Sequence, residues 1–239
     1  MKSSLCYILL ICLFWQSCIK SNNFTGTSAF TIINAIPASN NLVTNFQGTG
    51  TGKTPTSFGL YITANQVGYG SALEFGNYNG ITNLILVQTS DTILPLFAGT
   101  FNFKPGGIYT LFLTGTDTLH IDTLFSQDNV SYYPYNGDSL TGVRFVNLVT
   151  GSNPVSVDIQ SSPDSIPVLP SLPYKALSAF QPFSANSNAM NTGYNFEFRD
   201  GSGNVLASTR LNILPFKSQT LALYGNASIG YNVMIINNY

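Results

Sequence analysis

The chain has 239 residues with nine basic and ten acidic side chains, so its formal net charge is −1 and only 8% of its residues are charged. This balance excludes the basic surface that nucleic-acid binding requires. Apolar residues make up 44% of the sequence and aromatic residues 13%, which predicts a folded protein and not a disordered one.

The first eighteen residues have the three-part layout of a secretory signal. Lys2 gives a positive start, an apolar run of eleven residues extends from Leu5 to Trp15, and Ser17 precedes Cys18. This run is too short to span a bilayer. A small residue directly before a cysteine resembles the lipobox of bacterial lipoproteins, in which the signal is cut and the new N-terminal cysteine is lipidated.

We therefore predict a signal peptide at residues 1–17, lipidation at Cys18 and a polar tether over residues 18–27. An ordinary cleaved signal without lipid is the alternative. Lipidation would anchor the protein in the cell envelope at the outer membrane, facing either the periplasm or the exterior. After cleavage Cys18 is the only cysteine, so the sequence predicts neither a disulfide nor thiol chemistry.

Short apolar runs separated by 21 glycines and 12 prolines predict an all-β protein. Strands are expected at residues 30–35, 108–113, 143–148 and 155–159, and a hairpin at Tyr194 to Ala207 turns at Asp200 to Asn204. Because no window of eleven or more residues shows an uninterrupted helical period, a sandwich or barrel is favoured.

An internal duplication divides this all-β chain into two. Residues 101–115 align with residues 211–225 at an offset of 110, with six of fifteen positions identical, and residues 30–40 align with residues 143–153 at an offset of 113. A repeat of about 110 residues is the size of a whole domain. The alternative is that two unrelated strand–turn–strand segments share a composition.

The segments Asn153 to Ile159 (NPVSVDI) and Gly106 to Gly115 (GGIYTLFLTG) resemble domain-of-unknown-function family 4397. The resemblance implies immunoglobulin-like β-sandwich domains of exported bacterial proteins, often in tandem behind a lipobox, with no established activity. We therefore expect an all-β chain of two tandem immunoglobulin-like β-sandwich domains, at residues 28–135 and 136–239.

His120 is the only histidine, so acid–base or triad chemistry has a single potential centre. Strand alternation would place His120 and Asp122 on one face, where a His–Asp pair is one option and an ordinary solvent-facing strand pair is the favoured alternative. A second histidine and a Gly-x-Ser-x-Gly motif are both absent from the sequence. The sequence therefore predicts no catalytic residue, no metal site and no cofactor.

Two further patterns point to the surface. Tyr132, Tyr133 and Tyr135 are a candidate binding patch for a sugar or a protein partner, with packing between the two domains as the favoured alternative. Five of the eight aspartates precede Ser or Thr and then an aliphatic residue, which resembles the O-glycosylation sequon of exported Bacteroidota proteins. The candidate acceptors are Thr92, Thr118, Thr123, Ser139 and Ser165, and ordinary turn-and-strand chemistry is the alternative.

Together these patterns predict a non-enzymatic envelope lipoprotein that acts as an adhesive, scaffolding or ligand-binding module. A fimbrial or assembly subunit and a glycan-binding module are the alternatives. The expected partners are the membrane, through the lipid anchor, and a protein or glycan, but not nucleic acid.

Overall fold

The computed structural model describes residues 26–46, 66–91, 94–130, 139–161 and 165–238. These residues form sixteen strands and one short helix. The strands are β1 Thr27–Asn34, β2 Leu42–Asn45, β3 Gln66–Val67, β4 Ser71–Tyr78, β5 Gly80–Gln88, β6 Phe97–Phe103, β7 Ile108–Gly115, β8 Ile121–Gln127, β9 Leu140–Asn147, β10 Val155–Ile159, β11 Ile166–Leu172, β12 Gln181–Ser184, β13 Tyr194–Arg199, β14 Val205–Leu211, β15 Ser218–Asn226 and β16 Gly230–Asn237, and the helix is α1 Ser187–Thr192.

Four four-stranded sheets are arranged in two pairs. In the first sandwich an inner sheet of order β4-β1-β7-β8 packs on an outer sheet of order β3-β2-β5-β6. In the second sandwich the inner sheet has the order β12-β9-β15-β16 and the outer sheet β11-β10-β13-β14. Adding eight to each strand number of the first sandwich gives the second, so both have one topology.

The strand registers repeat as closely as the strand order. In the first inner sheet β1 runs parallel to β7 with Asn34 opposite Leu113, and in the second β9 runs parallel to β15 with Asn147 opposite Leu223. These pairs are separated by the two sequence offsets of 113 and 110 residues. The differing offsets are accommodated in the connections, while the paired strands keep the same register.

A fully buried asparagine ends the first strand of each sandwich in the same way. Nδ2 of Asn34 donates to the carbonyl of Val67 at 3.2 Å, and its Oδ1 accepts from the amide two residues further on at 3.1 Å. Nδ2 of Asn147 donates to the carbonyl of Leu172 at 3.1 Å, and its Oδ1 accepts from the equivalent amide at 3.0 Å. Both side chains satisfy backbone groups where the chain leaves the inner sheet.

The central inner strands are buried on both faces. Phe30 and Ile32 of β1 face the core of the first sandwich, whereas Ile33, on the opposite face of the strand, packs against Val146 and Ala222 of the second sandwich. The two inner sheets therefore pack against each other, and we call this contact the sandwich interface. Its buried apolar residues are Ile33, Ala35, Phe112, Val146, Leu148, Ala222, Met234 and Ile236.

The predicted all-β tandem sandwich is confirmed, as are the predicted strands and the hairpin at residues 194–207. The predicted boundary between residues 135 and 136 lies outside the described residues. Among the helices of the described ranges, none has the length and apolar character needed to cross a membrane.

Gly115 is the last residue of β7, and Gly225 lies at the equivalent position of β15, one residue before its end, with φ of 139° and 106° respectively. A Cβ on Gly115 would lie 2.1 Å from the carbonyl oxygen of His120, and one on Gly225 would lie 2.2 Å from that of Gly230. The backbone at or just before the start of the neighbouring strand therefore approaches so closely that no side chain fits at either position. This requirement accounts for one of the six identities in the duplication.

We predict that Gly115→Ala lowers the free energy of unfolding by about 3 kcal/mol or more, because backbone clash adds to backbone strain. The matched control is Gly76→Ala in β4, where nothing lies within 4 Å of the new Cβ. We expect that control to change stability by less than about 1 kcal/mol. Urea unfolding measures both variants, and equal losses would contradict the close approach.

Candidate functional site

Several of the predicted site residues lie outside the described residues. They are Cys18, Thr92, Tyr132, Tyr133 and Tyr135. The other four candidate acceptors are described. Thr118 lies half-buried in the bend before β8, Thr123 is half-buried within β8, Ser139 directly precedes β9, and Ser165 is exposed before β11.

Two aspartates of the candidate sequons make turn contacts. Oδ1 of Asp117 accepts from the amides of Leu119 at 2.7 Å and His120 at 2.9 Å, and the first of these bonds is the main cause that lowers the pKa of Asp117. Oδ1 of Asp91 accepts from the amide of Leu94 at 3.3 Å. Turn chemistry therefore accounts for these two aspartates, and glycosylation stays a prediction that the intact mass of protein from its native host would check.

The predicted placement of His120 and Asp122 on one strand face is wrong. β8 begins only at Ile121, so His120 still belongs to the preceding turn, and its Nδ1 lies 3.0 Å from Oδ1 of Asp117. The His120 side chain is 73% exposed. A turn forms here in place of a strand because the Asp117 carboxylate accepts hydrogen bonds from the backbone amides of Leu119 and His120. The contacts described for His120 include no nucleophile.

Asp122 instead connects the two sandwiches. Its Oδ1 accepts from Nζ of Lys175 at 3.0 Å, and its Oδ2 accepts from the hydroxyl of Tyr174 at 2.8 Å. The hydrogen bond from Lys175 is the largest cause that lowers the pKa of Asp122, followed by the bond from Tyr174. Burial is the main cause that raises the pKa of Tyr174. Asp122 is thus held as the charged carboxylate and Tyr174 as the neutral phenol, so the phenol can donate its hydrogen bond to the carboxylate.

A buried polar cluster lies in the sandwich interface, where sequence analysis predicted no site. Nη1 of Arg144 donates to Oδ1 of Asp128 at 2.8 Å, and its Nε donates to Oγ1 of Thr220 at 2.7 Å. Thr110 donates to Oδ2 of Asp128 at 2.6 Å, and Nδ2 of Asn238 donates to the same atom at 3.4 Å. The side chains of Arg144 and Asp128 are only 3% and 0% exposed, so this ion pair is fully desolvated.

The cluster is asymmetric although the fold is duplicated. Thr110 and Thr220 are equivalent, but the position of Asp128 is taken by Asn238 in the second sandwich, 110 residues later. The position of Arg144 is taken by Thr31 in the first sandwich, 113 residues earlier. The first sandwich therefore carries a charge at Asp128 and the second at Arg144, and the equivalent position in the other sandwich is neutral in each case. The same fold thus accommodates a neutral residue at each of these two positions.

A cavity of about 300 Å³ opens beside this cluster. Arg144 forms one wall, and Phe180 stacks on its guanidinium at 4.6 Å from the ring centre. The rest of the lining consists of Ser126, Gln127, Asn129, Leu177, Ser178 and Ala179. Nη2 of Arg144 is buried without a hydrogen-bond partner. We call this cavity the Arg144 pocket.

The described residues hold no group of three or more His, Cys, Asp or Glu side chains that could bind a metal ion. Residues Asp200 to Asn204 contain side-chain oxygens of the kind that calcium-binding loops use, but they form the turn of the hairpin between β13 and β14. Oδ1 of Asp200 accepts from the amides of Ser202 and Asn204, both at 2.9 Å, and the side-chain hydrogen bond from Asn204 is the main cause that lowers its pKa.

Comparison of the chain with models of known protein families and with curated proteins gives no match. The resemblance to domain-of-unknown-function family 4397 therefore stays a prediction. The one signal that could have located the cluster is Arg144 itself, a charged residue inside the otherwise apolar run from Val143 to Val146. Its partners come from distant segments and could not be read from sequence spacing.

The internal equivalence allows a designed test of the buried ion pair. Arg144→Thr leaves a buried unpaired carboxylate and Asp128→Asn leaves a buried unpaired guanidinium, so each should lower the free energy of unfolding by about 3–5 kcal/mol. The double variant copies the neutral residues Thr31 and Asn238 of the opposite positions. We expect it to lose far less than the sum of the single losses.

Urea unfolding of the wild type, the two single variants and the double variant gives the four free energies of this double-mutant cycle. A double variant whose loss equals the sum of the two single losses would show that Arg144 and Asp128 do not depend on each other.

Proposed function

We propose that this chain is a non-enzymatic cell-envelope lipoprotein, anchored through Cys18, whose folded part is a rigid adhesive, scaffolding or ligand-binding module. The observation that carries the proposal is the sandwich interface. Two sandwiches that share one buried apolar face and one buried ion pair behave as a single body, which is suited to holding a surface at a fixed distance from a tether.

The contacts of the ionisable residues support a non-enzymatic role. His120 is exposed and paired with Asp117 in a turn, and Asp122 is occupied by Tyr174 and Lys175. Arg144 and Asp128 are the most buried ion pair described, and both bond to threonine hydroxyls of the interface. In the described ranges these groups make structural contacts to each other and do not converge on a nucleophile.

The anchor follows from the sequence before the first sandwich. β1 begins at Thr27, nine residues after Cys18, so a lipidated cysteine would hold the first sandwich close to the membrane surface. More than one acyl chain is needed for stable anchoring, and bacterial lipoprotein processing supplies it. The proposed location is the outer membrane.

We predict that Cys18→Ser moves the protein from the membrane fraction to the soluble fraction and abolishes incorporation of labelled fatty acid. The physical reason is that the acyl chains supply the binding energy to the bilayer. Fractionation and acyl labelling of cells expressing each form make the comparison. Cys12→Ser is the matched control, because Cys12 lies within the apolar run and should leave both readouts unchanged.

Acyl labelling that persists in Cys18→Ser would contradict the anchor. A soluble, unlabelled wild-type protein would instead favour the ordinary cleaved signal.

A further inference from the structure

We propose that the Arg144 pocket binds a small, uncharged, hydroxyl-rich ligand, such as one sugar unit of a glycan. This inference rests on the proposed function, since it names the ligand class of a ligand-binding envelope module. The juxtaposition that supports it is a buried guanidinium with a free donor, an aromatic ring stacked on that guanidinium, and a wall of amide and hydroxyl side chains.

Arg144 has one side-chain donor that no protein group satisfies. Arg144 uses Nη1 on Asp128 and Nε on Thr220, while Nη2 is buried and has no partner in the protein. Leaving a buried donor unpaired is costly, more so when it belongs to a charged group, so native proteins pair nearly all of them. Because Arg144 lines the pocket, an acceptor oxygen bound there would lie beside the group that carries this donor.

The fold itself does not require this arginine. Thr31 occupies the equivalent position in the first sandwich, at the edge of a second cavity of about 360 Å³. In that cavity Asn237 stands where Gln127 stands in the Arg144 pocket, so the two openings are related by the duplication. Glu74 lines that second cavity, so a cationic side chain is present at only one of the two equivalent openings, which indicates a local role for Arg144 there.

The charge and the lining of the pocket indicate the class of ligand. Asp128 already neutralises Arg144 at 2.8 Å, so an anionic ligand would meet a carboxylate of its own sign beside the guanidinium. The side chains of Ser126, Gln127 and Asn129 offer hydroxyl and amide groups, which both donate and accept hydrogen bonds. A volume of about 300 Å³ is at the small end of ligand cavities and suits a single ring.

Isothermal titration calorimetry of the full chain, purified in a zwitterionic detergent without sugar headgroups, tests the proposal. The probes are the methyl glycosides of glucose, galactose, mannose and N-acetylglucosamine, with sodium acetate and glucuronate as charged probes. We expect saturable binding of at least one neutral glycoside. Asn129→Ala removes an exposed amide from the rim and should weaken that binding about threefold to tenfold, the value of one hydrogen bond.

A pair of matched variants locates the site. Gln127→Trp fills the mouth of the Arg144 pocket and should abolish binding, whereas Ile235→Trp adds the same ring at the equivalent cavity and should leave it unchanged. Both residues lie on edge strands of the inner sheets, so the urea midpoint of each variant serves to confirm that it is folded.

Three results would overturn the proposal. They are no heat from any neutral glycoside at about 10 mM, which saturates a millimolar site well; binding that survives Gln127→Trp in the folded variant; and binding of acetate or glucuronate alone. A protein that binds no sugar but still moves to the soluble fraction on Cys18→Ser would overturn the pocket and leave the proposed envelope function standing.

Discussion

The packing of the two inner sheets against each other is the constraint on which the rest of this structure depends. A four-stranded sheet with one face on its own core would normally turn the other face to water. Here both faces of β1, β7, β9 and β15 are buried, so nearly every residue of these strands is buried, the polar residues included. The interface in turn accounts for the buried threonines, the desolvated Asp128–Arg144 pair and the Asp122 contact, because each of them lies where the two sandwiches meet.

The duplication explains how the interface could acquire different chemistry at its two ends. Two copies with the same topology present equivalent positions to each other, and a change at one of them need not be matched at the other. The equivalent positions 110 and 220 are both threonine. In contrast, Asp128 corresponds to Asn238 in the other copy, and Arg144 corresponds to Thr31. The guanidinium is therefore present at one opening only, whereas the other opening is lined by Thr31 and Glu74. That asymmetry is the reason to look there for a ligand and not at the equivalent cavity.

Sequence reasoning predicted the fold well because local signals dominate it. Alternating apolar residues, glycine turns and the two offsets of the repeat gave the strands, the hairpin and the paired sandwiches. It failed at His120, because the Asp117 carboxylate accepts hydrogen bonds from the amides of Leu119 and His120 and holds them in a turn. β8 therefore begins only at Ile121. It also missed the Arg144 cluster, because the partners Thr110, Asp128, Thr220 and Asn238 come from four separate segments that only the packing of the sandwiches brings together. Contacts between such distant segments produce no recognisable pattern of residue spacing in the sequence.

The central claim is that the two sandwiches unfold as one body, and hydrogen exchange across a urea series tests it most directly. Amides of β7, in the first sandwich, and of β15, in the second, are bonded within central inner strands that share the interface. The account predicts that peptides covering residues 108–115 and 218–226 lose protection with the same opening free energy and the same dependence on urea. If one sandwich exchanges at a clearly lower free energy while the other stays protected, the interface does not couple them, and the single rigid body described above is contradicted.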